Sequence, residues 1–227
     1  MTIEVRGWLA KPRLLRLGAA CAVPVLYALW VRTRLLTWGA AREEISGACP
    51  GDELIPDPAR CSTMATILPA PPERVWPWLV QMGYDRAGWY SWDKLDHGGE
   101  PSADRIVPQW QNLREGQRVH SRAHGRAWMT VAVLEPGRTL VLRSIYRVPS
   151  FRTVDPRSGP LPPARMDAIW GFHLRPVPDG RTRLVIRKRS RGPRAVTWPV
   201  NLLWDPVHLI MQTRQFHNLR TRVGAHA

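Results

Sequence analysis

The stretch that most constrains this chain covers residues 63–96, where a strand, a helix and an aromatic cluster follow one another without a break. Thr63-Met64-Ala65-Thr66-Ile67-Leu68 is apolar and rich in β-branched residues, and it predicts a strand. A helix then opens at Ala70-Pro71-Pro72-Glu73. Proline suits the first turn of a helix because the N–H it lacks has no intrahelical partner there. Val75, Trp76, Leu79 and Val80 recur at spacings of three and four, which gives this helix one apolar face. Pro77 falls within its early turns, where a kink is expected sooner than a break. The cluster Gly88-Trp89-Tyr90-Ser91-Trp92-Asp93-Lys94-Leu95-Asp96 closes the stretch.

Antiparallel pairing is legible further on. Residues 126–134 and 139–147 are strand-like and are joined by Glu135-Pro136-Gly137-Arg138, a turn by composition. Residues 167–176 and 181–190 flank Val177-Pro178-Asp179-Gly180, where Asp-Gly is a strong hairpin signal. In the first strand of this hairpin Ala168, Trp170, Phe172 and Leu174 share one face, and Asp167, His173 and Arg175 the other. The second strand pairs Leu184 with Ile186 and then turns strongly basic over Arg187-Lys188-Arg189-Ser190-Arg191. Between the hairpins, residues 148–165 hold five prolines and predict a long surface loop. The chain closes with a helix over roughly residues 202–223, whose stripe runs through Val207, Ile210, Met211, Phe216, Leu219 and Val223.

The N-terminal part has a different character. Residues 17–31 carry no charge, and with Leu14 and Leu15 the apolar run covers eighteen positions interrupted only by Arg16. At about 1.5 Å per residue it spans roughly 27 Å, close to a bilayer core of about 30 Å. Tyr27 and Trp30 suit an interface, and Arg16 suits snorkelling. A cleaved signal peptide is the rival reading. Arg32-Thr33-Arg34 stands against it, because those residues occupy the place of a small-residue cleavage site. The expectation is a single-pass membrane anchor. Arg6, Lys11, Arg13 and Arg16 before the run, against Arg32, Arg34 and Arg42 after it, lean only slightly toward a cytoplasmic N-terminus, and the side of the main domain stays open. After the anchor, residues 36–45 read as a short helix. Pro50 to Pro58 reads as an extended loop whose acids are solvated.

Among 227 residues there are thirty arginines and three lysines, and the formal charge is +15. Anionic partners, lipid headgroups or nucleic acid, follow from such a balance. The charge is spread along the chain without zinc spacing, helix-turn-helix punctuation or an RNA-binding aromatic motif, so nucleic acid is not expected. The basic run at 187–191, with Arg214, Arg220 and Arg222, reads as a solvated surface, with anionic lipid as the functional alternative. Cys49 and Cys61 flank the Pro/Gly/Asp loop and are read either as unlinked thiols or as a pair in an oxidising compartment. Cys21 reads as a small hydrophobe.

As a set, several of these segments carry a resemblance. They are Trp38-Gly39-Ala40, Pro50-Gly51-Asp52-Glu53-Leu54, Ala70 through Gly83, Ala87-Gly88-Trp89-Tyr90-Ser91, Ser102-Ala103-Asp104-Arg105-Ile106, Leu134 through Arg138, Gly180 through Leu184, and Asp205 through Met211. The chain resembles the SRPBCC superfamily (START-like, with polyketide cyclase/dehydrase relatives), and within it an uncharacterised bacterial membrane-anchored branch. The resemblance implies an α+β helix-grip fold, an antiparallel sheet wrapped around a long C-terminal helix with a cavity between them. The expected organisation is an anchor at 1–35, a connecting helix and Pro-rich loop at 36–60, and the helix-grip domain at 61–227.

Relatives in that superfamily bind lipids, isoprenoids, polyketides or other apolar molecules, and some are enzymes. Ligand binding without catalysis is the first expectation, a cyclase- or dehydratase-like enzyme the second, and an interaction domain with a filled core the third. Trp89, Tyr90, Trp92 and Trp170 are candidates for the cavity wall, with Phe172 and Met211 on the same apolar faces as Trp170 and the helix stripe. For acid/base work Asp93, Asp96 and His97 are the candidates. Their structural alternative is a helix cap and local ion pairs. His208 lies beside the stripe of the last helix and is read as a surface or satisfied histidine. No metal spacing, phosphate loop or serine elbow is present, so no cofactor is expected.

Overall fold

The computed structural model describes residues 27, 31–125 and 127–225. Residues 36–227 form one compact unit, separate from residues 1–35. Of the expected anchor at 1–35 only Tyr27 and residues 31–35 are described; the rest lies outside the described residues. Among the described residues no helix is long and apolar enough to cross a membrane.

The elements run α1 (Arg32–Leu36), α2 (Arg42–Ser46), β1 (Arg60–Leu68), α3 (Pro72–Val80), α4 (Asp93–Asp96), β2 (Arg118–His120), β3 (Trp128–Glu135), β4 (Thr139–Arg147), β5 (Arg152–Thr153), β6 (Arg165–Val177), β7 (Arg181–Arg191) and α5 (Arg194–Ala225). All strand pairs are antiparallel, in the order β1-β7-β6-β4-β3-β2. β5 pairs β4 at Tyr146 and Arg147, beyond the reach of β3. This α+β helix-grip arrangement sets the sheet against one long C-terminal helix. The core gathers Met64 and Leu68 of β1, Val75, Trp78 and Leu79 of α3, Leu140 and Leu142 of β4, Phe172 and Leu174 of β6, Leu184 and Ile186 of β7, and Phe216, Leu219 and Val223 of α5.

α5 starts at Arg194, well before the expected residue 202, and runs through Pro199 and Pro206. Each proline removes one N–H from the helical ladder and crowds the carbonyl four residues before it, yet the helix continues through both. α2 is shorter than expected, because Thr37 to Gly39 form a turn before it. Gly39 stands at φ +71°, and a Cβ there would meet the Ala65 carbonyl oxygen at 2.3 Å. The turn therefore needs glycine to bring Trp38 against β1, where the Trp38 carbonyl accepts from Ala65 N at 3.1 Å.

The segment before β1 differs most from expectation. Instead of a wholly solvated loop it covers the outer face of the sheet, where Glu44 and Asp52 are buried, while Glu43, Glu53 and Asp57 stay exposed. Along β7 every second residue points outward; five of those residues are arginines, and Arg183, Arg187 and Arg189 hold the cover. Arg183 makes a two-pronged contact with Glu44 at 2.9 and 2.7 Å and donates to the Gly39 carbonyl. Arg187 donates to the carbonyls of Glu44, Ile45 and Gly47 and approaches the sulfurs of Cys49 and Cys61. Arg189 pairs with Asp52 at 3.0 Å and donates to the Pro56 carbonyl. The Arg183 contact holds the Glu44 carboxyl below its usual range, against the opposing effect of burial. Ile55 packs with Val141 and Ile169 beneath this cover. Both described cysteines are free thiols.

His173, expected on a polar face, is buried under the same cover, and burial lowers its pKa to about 4. The basic run of β7 is thus largely internal. Replacing Arg187 by Met would strand three backbone carbonyls and is expected to cost roughly 3 kcal/mol in urea unfolding, since each buried unpaired group costs about 1–3 kcal/mol. Hydrogen exchange should accelerate over residues 44–56 before it does in β6.

Candidate functional site

Between the inner face of the sheet and α5 lies a cavity of about 690 Å³, within the roughly 300–1,000 Å³ of small-molecule sites. Its apolar wall includes Trp89, Met129, Tyr146, Trp170, Val207 and Met211; Ser91, Asp96, Lys188, His208, Gln212 and Gln215 bring polar groups to it. Beside it the first half of α5 leaves Trp198, Leu203, Trp204 and Ile210 exposed, and Trp204 also lines the cavity.

Trp89 is placed by a tight loop. Gly83 and Gly88 exchange backbone hydrogen bonds of 3.1 and 2.9 Å, and Gly88 adopts φ +75° with Ser102 Oγ 2.3 Å from where a Cβ would stand. Only glycine fits such a position. The segment after it is fastened to α5. Gln215 Nε2 donates to the Trp89 carbonyl at 2.7 Å, Asn218 Nδ2 to the Tyr90 carbonyl at 2.9 Å, and Ser91 Oγ to the Met211 carbonyl at 3.0 Å. Trp89 then packs on Trp170 with ring centroids 5.4 Å apart, and Trp170 on Phe172 at 4.7 Å.

Lys188 belongs to the basic run in sequence, yet by period two it shares the inner face with Leu184 and Ile186. Its Nζ lies 4.1 Å from the centre of the Trp170 ring and 3.2 Å from His208 Nδ1. The lysine is half-buried and lines the cavity. Burial, and after it the charge of Arg60, lowers its pKa to about 7. His208 is buried, and burial followed by Lys188 and Arg60 holds it well below 6.5. A neutral imidazole accepts the hydrogen bond from Lys188 on Nδ1 and therefore carries its own proton on Nε2; Nε2 is buried and has no hydrogen-bond partner among the described residues. Arg60 itself donates from Nε to Asp205 Oδ1 at 2.5 Å, and both of these side chains are buried.

The remaining sequence candidates separate. Trp89, Trp170 and Met211 stand at the cavity. Tyr90 is fully buried elsewhere, at φ +57°, with its hydroxyl accepting from Gln81 Nε2 at 2.8 Å and its ring edge-on to Trp78. Phe172 is fully buried behind Trp170. Trp92 lies outside the cavity, half exposed beneath the Arg214 guanidinium at 4.9 Å.

Of the acid/base candidates, Asp93 accepts from Ser102 Oγ at 2.5 Å. His97 is occupied on both ring nitrogens, by the Glu100 carbonyl at 2.7 Å and the Tyr84 carbonyl at 3.0 Å. Asp96 alone lines the cavity; burial first and the Asp93 charge second push its carboxyl up to about 6. Lys188, Gln212 and Gln215 were not singled out by sequence; the alternation of β7 was the signal for Lys188. Among the described residues no group of His, Cys, Asp and Glu could hold a metal.

Fold and cavity together define a helix-grip protein with room for a small molecule. The chain matches no protein-family model and no curated protein. It is similar to solved structures: the protein MLL2253 of Mesorhizobium loti (18% identity, 73% of this chain and 98% of that one, TM-score 0.41) and the hypothetical protein jhp0584 of Helicobacter pylori (11% identity, 77% and 94%, TM-score 0.47). A third is DynU16, from the dynemicin biosynthetic locus (17% identity, 72% and 48%, TM-score 0.41). These are likenesses of chain path and say nothing of a ligand or a reaction.

The Lys188–His208 pair makes stability depend on pH with a definite sign. Lys188 titrates near 7 when folded but at about 10.4 when unfolded. Between these values the unfolded chain holds more protons, so stability rises with pH. The charged lysine's full penalty applies below about pH 7. Urea midpoints should climb from pH 7 toward 10 in the wild type, and the climb should flatten in Lys188→Met.

Proposed function

We propose that this chain is an SRPBCC-type (START-like) protein that binds an apolar small molecule, a lipid or an isoprenoid- or polyketide-like compound, in the cavity between sheet and α5. The observation that carries this reading is the cavity itself: about 690 Å³ with an aromatic and aliphatic wall and a few convergent polar groups. A filled core would leave no such space. Native mass spectrometry of protein extracted from its own membrane tests the reading, with a co-purifying apolar compound as the expected result. Apoprotein alone, together with no binding across a lipid panel, would overturn it. A cavity-filling Met129→Trp substitution should weaken binding at least tenfold while the fold persists, as read by displacement of a fluorescent lipid analogue.

A membrane is the partner that this proposal adds. The expected anchor over residues 17–31 belongs to the membrane-anchored branch and is part of the same reading. Independent support comes from the exposed Trp198, Leu203, Trp204 and Ile210 beside the cavity, on a chain of formal charge +15. Tryptophan and basic side chains suit an anionic bilayer surface. Leu203→Glu is therefore expected to slow ligand uptake from anionic vesicles several-fold, leaving affinity for dissolved ligand within twofold.

A second reading, a cyclase- or dehydratase-like enzyme, is favoured by one observation. Asp96 reaches the cavity with its carboxyl raised to about 6, where a carboxylic acid can donate or accept a proton near neutrality. Asp93 and His97 are engaged elsewhere, so Asp96 would carry that chemistry. Turnover of a bound polyketide-like compound by the wild type, lost in Asp96→Asn with binding retained, would establish the enzyme.

A further inference from the structure

We infer that the ligand carries a carboxylate head, seated on Lys188 where β7 faces His208 of α5 across the ring of Trp170. The inference rests on the ligand-binding proposal and names the chemistry of the ligand's polar end. Lys188 is a cation on the wall of a mainly apolar cavity. Its contacts are an imidazole nitrogen at 3.2 Å and an aromatic face at 4.1 Å, neither of which carries a compensating negative charge.

The surrounding charges decide the sign and number of the missing partner. Arg60 of β1 acts on Lys188 as a like charge, and Asp205 of α5 is bonded to Arg60. His208 of α5 is held neutral. Lys94, Asp96 and Arg122 also line the cavity, but the charge acting on Lys188 is that of Arg60; with Arg60 answered by Asp205, the Lys188 charge is the one left over at Nζ, and it matches a monoanion. Lys188 has three N–H donors, and His208 takes one of them. The others can serve the two oxygens of a carboxylate, while Trp89, Met129 and Met211 receive the apolar body. An anion at Nζ also explains why a lysine that burial disfavours is placed here: the site is electrostatically incomplete until it is filled. A phosphate dianion would overfill it, and a cationic head would meet Lys188 and Arg60 together.

Three probes with the same twelve-carbon chain test the inference on the full-length protein: dodecanoate, methyl dodecanoate and dodecylamine, each titrated against an uncharged fluorescent reporter. Dodecanoate should bind at least tenfold more tightly than its ester, and the gap should shrink below threefold in Lys188→Met. Equal binding of acid and ester, or a preference for the amine, would overturn the carboxylate inference while leaving an apolar ligand in place. Failure of all three to bind would remove both the inference and the ligand-binding proposal. A measurement on the wild type guards against a variant that fails to fold. Lysine occurs only at 11, 94 and 188, so trace acetylation followed by peptide mapping reads each amine separately. Dodecanoate should protect Lys188 at least fivefold more than the ester does; equal protection would count against the inference.

Discussion

Along β7 successive side chains face opposite sides of the sheet, and the strand lies between β1 and β6, so each of its faces has to be answered by something. Outward, Arg183, Arg187 and Arg189 meet the carboxylates of Glu44 and Asp52 and a row of carbonyls, which fastens residues 39–56 over the sheet. Inward, Leu184 and Ile186 join the core, and Lys188 reaches the cavity. A one-residue slip in the register with β1 or β6 would exchange these two sets. It would put three guanidinium groups in the core and leave Glu44 and Asp52 without partners. The outer clamp therefore protects the inner site, because it penalises the registers that would carry Lys188 away from His208.

A cavity of this size cannot be an empty void. At about 24 cal/mol per Å³ of dry apolar void, 690 Å³ would cost roughly 17 kcal/mol if it were sealed and empty, more than the whole stability of an ordinary domain, about 5–15 kcal/mol. Water or a ligand has to occupy it, and Lys188, Asp96 and Gln212 make the wall wettable in the meantime. Tryptophans are suited to such a wall. Trp89 and Trp170 stack on each other, and Gln215 fixes the Trp89 backbone to α5. The rings are thus held by contacts behind the surface, and the space before them need not be filled for them to keep their places.

The sequence disclosed elements that depend on local chemistry. The strand before Pro71-Pro72, the helix after it, and both hairpins follow from periodicity and turn residues, and the structure contains each of them. Long-range partners were harder to read. Glu44 and Asp52 sit among prolines and glycines, and nothing near them announces the arginines more than a hundred residues later that bury them. Lys188 was hidden by its neighbours, since a run of basic residues reads as one solvated surface unless the alternation of the strand is applied residue by residue. Tyr90 and Trp92 are only two positions apart, yet one is fully buried on Gln81 and the other lies under Arg214 in solvent. The left-handed backbone at Tyr90 (φ +57°) breaks the simple alternation there, and composition does not show it.

Asp96 and Lys188, two of the titratable groups at the cavity, are displaced from their ordinary values in ways that suit an amphipathic guest. Burial raises Asp96 to about 6 and lowers Lys188 to about 7, so near neutrality each group sits close to its own midpoint and pays little to change state. Arg60, and no carboxylate, is the charge acting on Lys188, and Asp93 is the charge foremost in raising Asp96. Each group thus feels a neighbour of its own sign. An acid-headed guest would draw Lys188 into its charged form and leave Asp96 protonated beside the apolar body, whereas a neutral guest would leave both near their midpoints. Proton uptake on binding an acid is therefore the direction that the placement of these two side chains in a single cavity favours, since burial displaces each of them toward its neutral form.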